Sequence, residues 1–67
     1  MIKTKVGKRI KELRNKLEIS QEELAFRSEI HRTYIASLEV GKRNVSIETL
    51  EKVVNALEVS MSEFFKF

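Results

Sequence analysis

The tightest constraint on the fold of this chain lies between Ser20 and Glu39, in the stretch SQEELAFRSEIHRTYIASLE. It reads as two short helices joined by a tight corner, with the second helix presented outward and the rest of the chain as a frame that fixes their angle. Ser20 stands before Gln21-Glu22-Glu23 and an apolar step at Leu24-Ala25. A serine N-cap accepts from the amide three residues on, and a glutamate at that place can reach back, the reciprocal pair of a capping box. Glu22 and Glu23 also suit the positive end of the helix dipole. In the second helix Ile30, Ile35 and Leu38 fall on one side, while Arg32, Thr33, Ala36 and Ser37 fall largely on the other.

That outer face is polar, compact and free of acids. It has the chemistry to enter a DNA major groove: arginine reads guanine with two prongs, Ser and Thr hydrogen-bond to base edges, and an Ala or Thr methyl meets that of thymine. A solvated face of any amphipathic helix pair has the same pattern. The pattern alone does not choose between them.

The residues themselves carry a resemblance. Q-E-E-L-A from Gln21, R-T-Y-I from Arg32, L-E at Leu38-Glu39 with Gly41 two residues later, and I-E-T-L from Ile47 together resemble the helix-turn-helix domain of the Cro/CI (XRE) repressor family. The likeness covers nearly the whole chain. Ile30 to Ile35 together with Arg43-Asn44 resemble the controller proteins of restriction–modification systems in particular. The resemblance implies a compact, all-α, five-helix lambda-repressor-like domain spanning residues 1–67, with the helix-turn-helix at about 20–39. It also implies a structural ion pair between Arg14 and Glu39, and a base contact by Arg43.

Charge is distributed in agreement with this. The formal net charge is +3, but it is polarised along the chain. Lys3, Lys5, Lys8, Arg9, Lys11, Arg14 and Lys16 face a single acid, Glu12, in the first sixteen residues. From Asn44 onward Lys52 and Lys66 are outweighed by Glu48, Glu51, Glu58 and Glu63. A polyanion is expected to meet the front. A basic amphipathic helix can also lie on a membrane, but here it leads into a compact domain, and no apolar stretch reaches spanning length. A soluble, cytoplasmic protein is expected.

The frame reads as helices throughout, since the chain has no proline and only two glycines. Val6, Ile10, Leu13 and Leu17 form a clean stripe for a first helix from about Thr4 or Lys5 to Leu17, with Lys8, Arg9, Lys11 and Lys16 around it. Gly7 weakens that helix by up to about 1 kcal/mol relative to Ala. The second helix is expected over Gln21 to Arg27 or Ser28, and the third over Arg32 to Glu39, with His31 an uncertain cap. Ser46 caps a fourth, from about Ile47 to Leu57, with Ile47, Leu50, Val54 and Leu57 in one stripe. A second capping box, Ser60 to Glu63, opens a short helix that ends in Phe64-Phe65-Lys66-Phe67. Glu18, Glu29 and Glu58 stand where related sequences carry glycine at a helix end. A left-handed residue with a side chain costs roughly 1–2 kcal/mol at each such site.

Small cores need support, and without cysteine no disulfide or thiolate metal site can supply it. Tight helix packing and oligomerisation are the remaining devices. The domain is expected to dimerise through residues 47–67, with Leu50, Val54, Phe64, Phe65 and Phe67 at the interface. A twofold axis would then set two recognition helices roughly 34 Å apart on an inverted-repeat operator. Arg32, Thr33, Tyr34, Ser37 and Arg43 are the expected base readers, and Gln21, Lys42 and Asn44 the expected backbone contacts. The implied function is a sequence-specific, autoregulatory transcription regulator, acting as repressor or activator, with RNA polymerase a further candidate partner. The rival is a helical protein-interaction module such as an antitoxin or corepressor partner. No nucleophile–base pair, catalytic carboxylate pair, phosphate-cradling loop or metal cluster is visible, and His31 lacks partners for either role. An enzyme, a metal and a cofactor are therefore not expected.

Overall fold

The computed structural model describes every residue from Met1 to Phe67. It is all-α: α1 (Ile2–Lys16), α2 (Gln21–Ser28), α3 (Arg32–Glu39), α4 (Ile47–Ala56) and α5 (Met61–Phe64). α1 starts two or three residues before the expected boundary and has no side-chain cap, Met1 being its N-cap. The apolar stripes of α1, α3 and α4 meet around a core in which Ile10, Leu24, Ile35, Val53 and Phe64 are wholly buried.

Three corners repeat one device. Glu18, Glu29 and Glu58 all adopt the left-handed conformation, with φ of 58°, 60° and 64°. The apolar residue after each returns its amide to a carbonyl five positions back: Ile19 to Arg14, Ile30 to Ala25 and Val59 to Val54. That is the Schellman closure, and its apolar residue packs on the core in each case. The next residue caps the following helix. Ser20 Oγ accepts from the Glu23 amide at 2.9 Å and Ser60 Oγ from the Glu63 amide at 3.0 Å. His31 takes the same place before α3, where Nδ1 accepts from the Thr33 amide at 3.1 Å. The expected capping boxes are only half formed, because the Glu23 carboxylate accepts from Arg27 Nε at 2.8 Å instead of reaching back.

The fourth such corner keeps glycine, and the packing says why. Gly41 has φ of 76°, and a Cβ there would lie 3.1 Å from the Thr4 Cα. A Cβ on Gly7 would fall 2.2 Å from the Leu38 carbonyl oxygen. Both glycines of the chain therefore lie on one seam, where α1 touches the end of α3 backbone to backbone. The helix-weakening effect of Gly7 is offset by this close approach.

Three of the residues expected at the dimer interface lie inside the single chain. Leu50, Val54 and Phe64 are interior. The α4 stripe faces α2, and α5 folds back so that Phe64 fills the core, so these side chains pack inward within the single chain. Ile47, expected in the same stripe, is 79% exposed. Phe65 and Phe67 are exposed, with ring centroids 5.9 Å apart.

Candidate nucleic-acid interface

The outer face of α3 is anchored at its far end. Glu39 closes α3, where a negative charge meets the negative end of the helix dipole and is unfavourable by itself. Arg14 of α1 offsets this. Its Nε donates to Glu39 Oε2 at 2.7 Å, and its Nη2 donates to Oε1 at 3.1 Å. The pair is bidentate, with the Arg14 side chain 12% and the Glu39 side chain 2% exposed. A third donation from Arg14, Nη1 to the Ile19 carbonyl at 2.9 Å, ties in the corner before α2. Gln21 Nε2 adds a bond to Glu39 Oε1 at 3.0 Å. Gln21, expected at the DNA backbone, therefore also serves this network, and its half-buried side chain links the starts and ends of the two helices.

The opposite end of α3 is free. Arg32 and Thr33 are exposed, as are Lys42, Arg43 and Asn44 in the loop beyond it. Arg32, Lys42 and Arg43 take part in none of the ion pairs of the structure. Ser37 lies one turn from Thr33 and donates to its carbonyl at 3.0 Å, leaving the hydroxyl oxygen free to accept. Tyr34 is half-buried against the core. Its hydroxyl donates to the Asn44 carbonyl at 3.2 Å, and the Arg43 guanidinium lies over its ring at 4.9 Å from the centroid. Uncompensated cations beside hydroxyls on one exposed helix and the loop after it suit an anionic duplex: the cations attract phosphate, and the compact polar side chains can read base edges.

The basic front is smaller than the sequence suggests. Arg14 is committed to Glu39, and Arg9, counted in the basic front, is buried. Arg9 Nε donates to the Phe64 carbonyl at 2.8 Å, Nη2 to the Glu63 carbonyl at 2.7 Å, and Nη1 pairs with Glu12. The arginine thereby satisfies the last carbonyls of α5, the place where a helix end favours a cation. The signal was present in the spacing, since Arg9 lies three residues after Val6 and beside Ile10, on the edge of the buried stripe. No group of His, Cys, Asp or Glu is arranged to hold a metal ion. No helix is long and apolar enough to cross a membrane.

Comparison with known proteins agrees with this geometry. A helix-turn-helix family model (HTH_3) matches residues 10–64. The control protein C.MunI of Mycoplasma sp is 45% identical over 65 residues, covering 96% of this chain and 88% of that protein. The crystal structure of the restriction–modification controller C.AhdI from Aeromonas hydrophila superposes with a TM-score of 0.90 at 41% identity, over 94% of this chain and 91% of that one. The controller C.Esp1396I, as a tetramer in complex with its natural 35 base-pair operator, superposes with a TM-score of 0.94 at 39% identity, over 98% and 87%. The chain belongs to the Cro/CI-type helix-turn-helix family, and its similarity runs to the restriction–modification controller proteins within it.

Proposed function

We propose that this chain is a sequence-specific transcription regulator that binds an inverted-repeat operator as a homodimer and controls a restriction–modification system, its own promoter included. The observation that carries the reading is the outer face of α3, where Arg32 and Thr33 are exposed and unpaired while the other end of the helix is held by Arg14 and Gln21. Such a helix is a rigid reader, and its operator-bound relative has the same fold. Arg32, Thr33, Ser37 and Arg43 read bases in this proposal, and Lys42, Asn44 and the exposed lysines of α1 meet phosphates. The protein acts in the cytoplasm, where its DNA lies, without catalysis or cofactor. RNA polymerase is blocked or recruited according to where the operator sits.

The exposed apolar side chains support a dimer surface around the groove. Ile47, Phe65, Phe67 and Ile2 are exposed apolar side chains. Ile2 and Phe65 border a groove of about 320 Å³ floored by Val6, Leu38 and Leu50. A second copy covering this patch would complete a domain too small to bury much apolar surface alone.

The test is Arg32→Ala with the fold checked by circular dichroism. Arginine read bidentately contributes about 1–3 kcal/mol of base discrimination. The variant is expected to lose affinity for the operator by about fivefold or more, with general DNA binding less affected. Unchanged operator affinity would favour the protein-interaction module instead.

A further inference from the structure

The stretch between α3 and α4 has few ties of its own. From Arg43 to Ser46 no backbone amide donates to another backbone group. Val45 packs on the core at one end, and the Lys42 amide closes the α3 corner on the Ser37 carbonyl at the other. Between them, a hydrogen bond to residue 44 and a cation–π contact with residue 43 both come from Tyr34. Its hydroxyl donates to the Asn44 carbonyl, and its ring faces the Arg43 guanidinium at 4.9 Å. Tyr34 is itself fixed, being half-buried in the first turn of α3 with its ring on the core.

We propose that Tyr34 is a positioning residue for Arg43: its ring stacks the guanidinium and its hydroxyl pins the loop, so that Arg43 is presented to a base edge in register with α3. This rests on the operator-reading proposal above and gives Tyr34 a different role from that of a reader. A free arginine must surrender rotamer freedom when it docks. One already stacked on an aromatic face keeps its charge and fork exposed with less left to order. The geometry also couples the loop to the recognition helix, because the same side chain belongs to α3 and holds residues 43–44.

The experiment begins with an operator selected by the wild-type protein from random duplexes. Equilibrium affinities for that operator, and for versions changed at single base pairs, are measured for Tyr34→Phe, Tyr34→Leu, Arg43→Ala and the double variant Tyr34→Leu/Arg43→Ala. Arg43→Ala is expected to lose about tenfold at the base pairs that Arg43 reads. Tyr34→Leu should lose a similar factor at the same base pairs, and the double variant should be within about threefold of either single, as expected for residues acting as one unit. Tyr34→Phe keeps the stacking face but loses the pin, and should retain part of the Arg43-dependent preference. A purely structural role for Tyr34 would lower affinity evenly across all the duplexes, and that result would overturn the proposal. So would losses that multiply in the double variant, or a Tyr34→Phe protein as indiscriminate as Tyr34→Leu. Should Tyr34→Leu fail to fold, Tyr34→Trp carries the comparison, since it offers a cation-binding face without the hydroxyl and must keep part of the preference. A wild-type protein that selects no sequence would remove the operator reading and this inference together. A selective wild-type with independent Tyr34 and Arg43 effects would remove only the inference.

Discussion

Arg9 donates from Nε to the carbonyl of Phe64 at 2.8 Å, joining the second turn of α1 to the last residue of α5 across 55 positions of sequence. The contact locks the C-terminal helix, whose aromatic residues divide between the core and the exposed patch. Hydrogen bonds to a charged group contribute about 1.5–3 kcal/mol. Arg9→Ala should destabilise the domain by about that amount in chemical denaturation, and Arg9→Lys should recover only part of it. An unchanged midpoint would mean that α5 is held by Phe64 burial alone.

Gly7 faces the Leu38 carbonyl with no room for a Cβ. Helix propensity predicts that Gly7→Ala stabilises by about 1 kcal/mol. The packing predicts the opposite sign, with α1 pushed off the end of α3 and a loss of about 1–3 kcal/mol. A thermal melt decides between the two, and a raised midpoint would refute the seam.

The left-handed glutamates invert that logic. Glu29 has φ of 60° and an exposed side chain, so glycine should fit without loss of contacts. Glu29→Gly should raise stability by up to about 1 kcal/mol after glycine's greater chain entropy is set against relief of the strain. For a domain of this size that is a midpoint shift of about 4–8 °C. A fall in the midpoint would show that the glutamate corner is not strained.

Glu39 accepts from both Arg14 and Gln21. Glu39→Gln leaves a nearly buried guanidinium without its counter-charge and should cost about 3–5 kcal/mol, the usual loss for one half of a buried pair. Replacing both Arg14 and Glu39 by Met and Leu should cost less than Glu39→Gln alone. Denaturation of the single and double variants measures this directly, and additive losses would contradict a coupled pair.

Ile47→Glu replaces one of the exposed apolar side chains of the proposed dimer surface by a charge, at a position outside the core. Sedimentation should show a shift from dimer to monomer with the helical content unchanged, the dimer dissociation constant rising by at least tenfold, as for a central interface residue. A dimer of undiminished affinity would place the interface elsewhere.

Much of this fold was legible because its signals are local. Ser20, Ser46 and Ser60 mark helix starts through a bond to an amide three residues on, and the stripe Val6, Ile10, Leu13 marks a buried face by period alone. The left-handed corners were legible as glutamates where glycine is usual. What the sequence withheld depends on distant partners. Leu50, Val54 and Phe64 are apolar whether they face the core or a second copy, and only the return of α5 decides which. Arg9 reads as surface until α5 supplies carbonyls for it. At the site, Arg32 and Thr33 were legible from the composition of one helix face. The tie from Tyr34 to Arg43 and Asn44 was not, since it depends on how a loop without regular structure folds back over α3.

The most direct test of the central claim is selection of bound duplexes from a random DNA pool, read by sequencing. The account predicts an enriched inverted repeat, with half-sites whose centres lie about one helical turn apart, matching two recognition helices related by a twofold axis. An unenriched pool, bound only in a salt-sensitive and sequence-independent way, would contradict it.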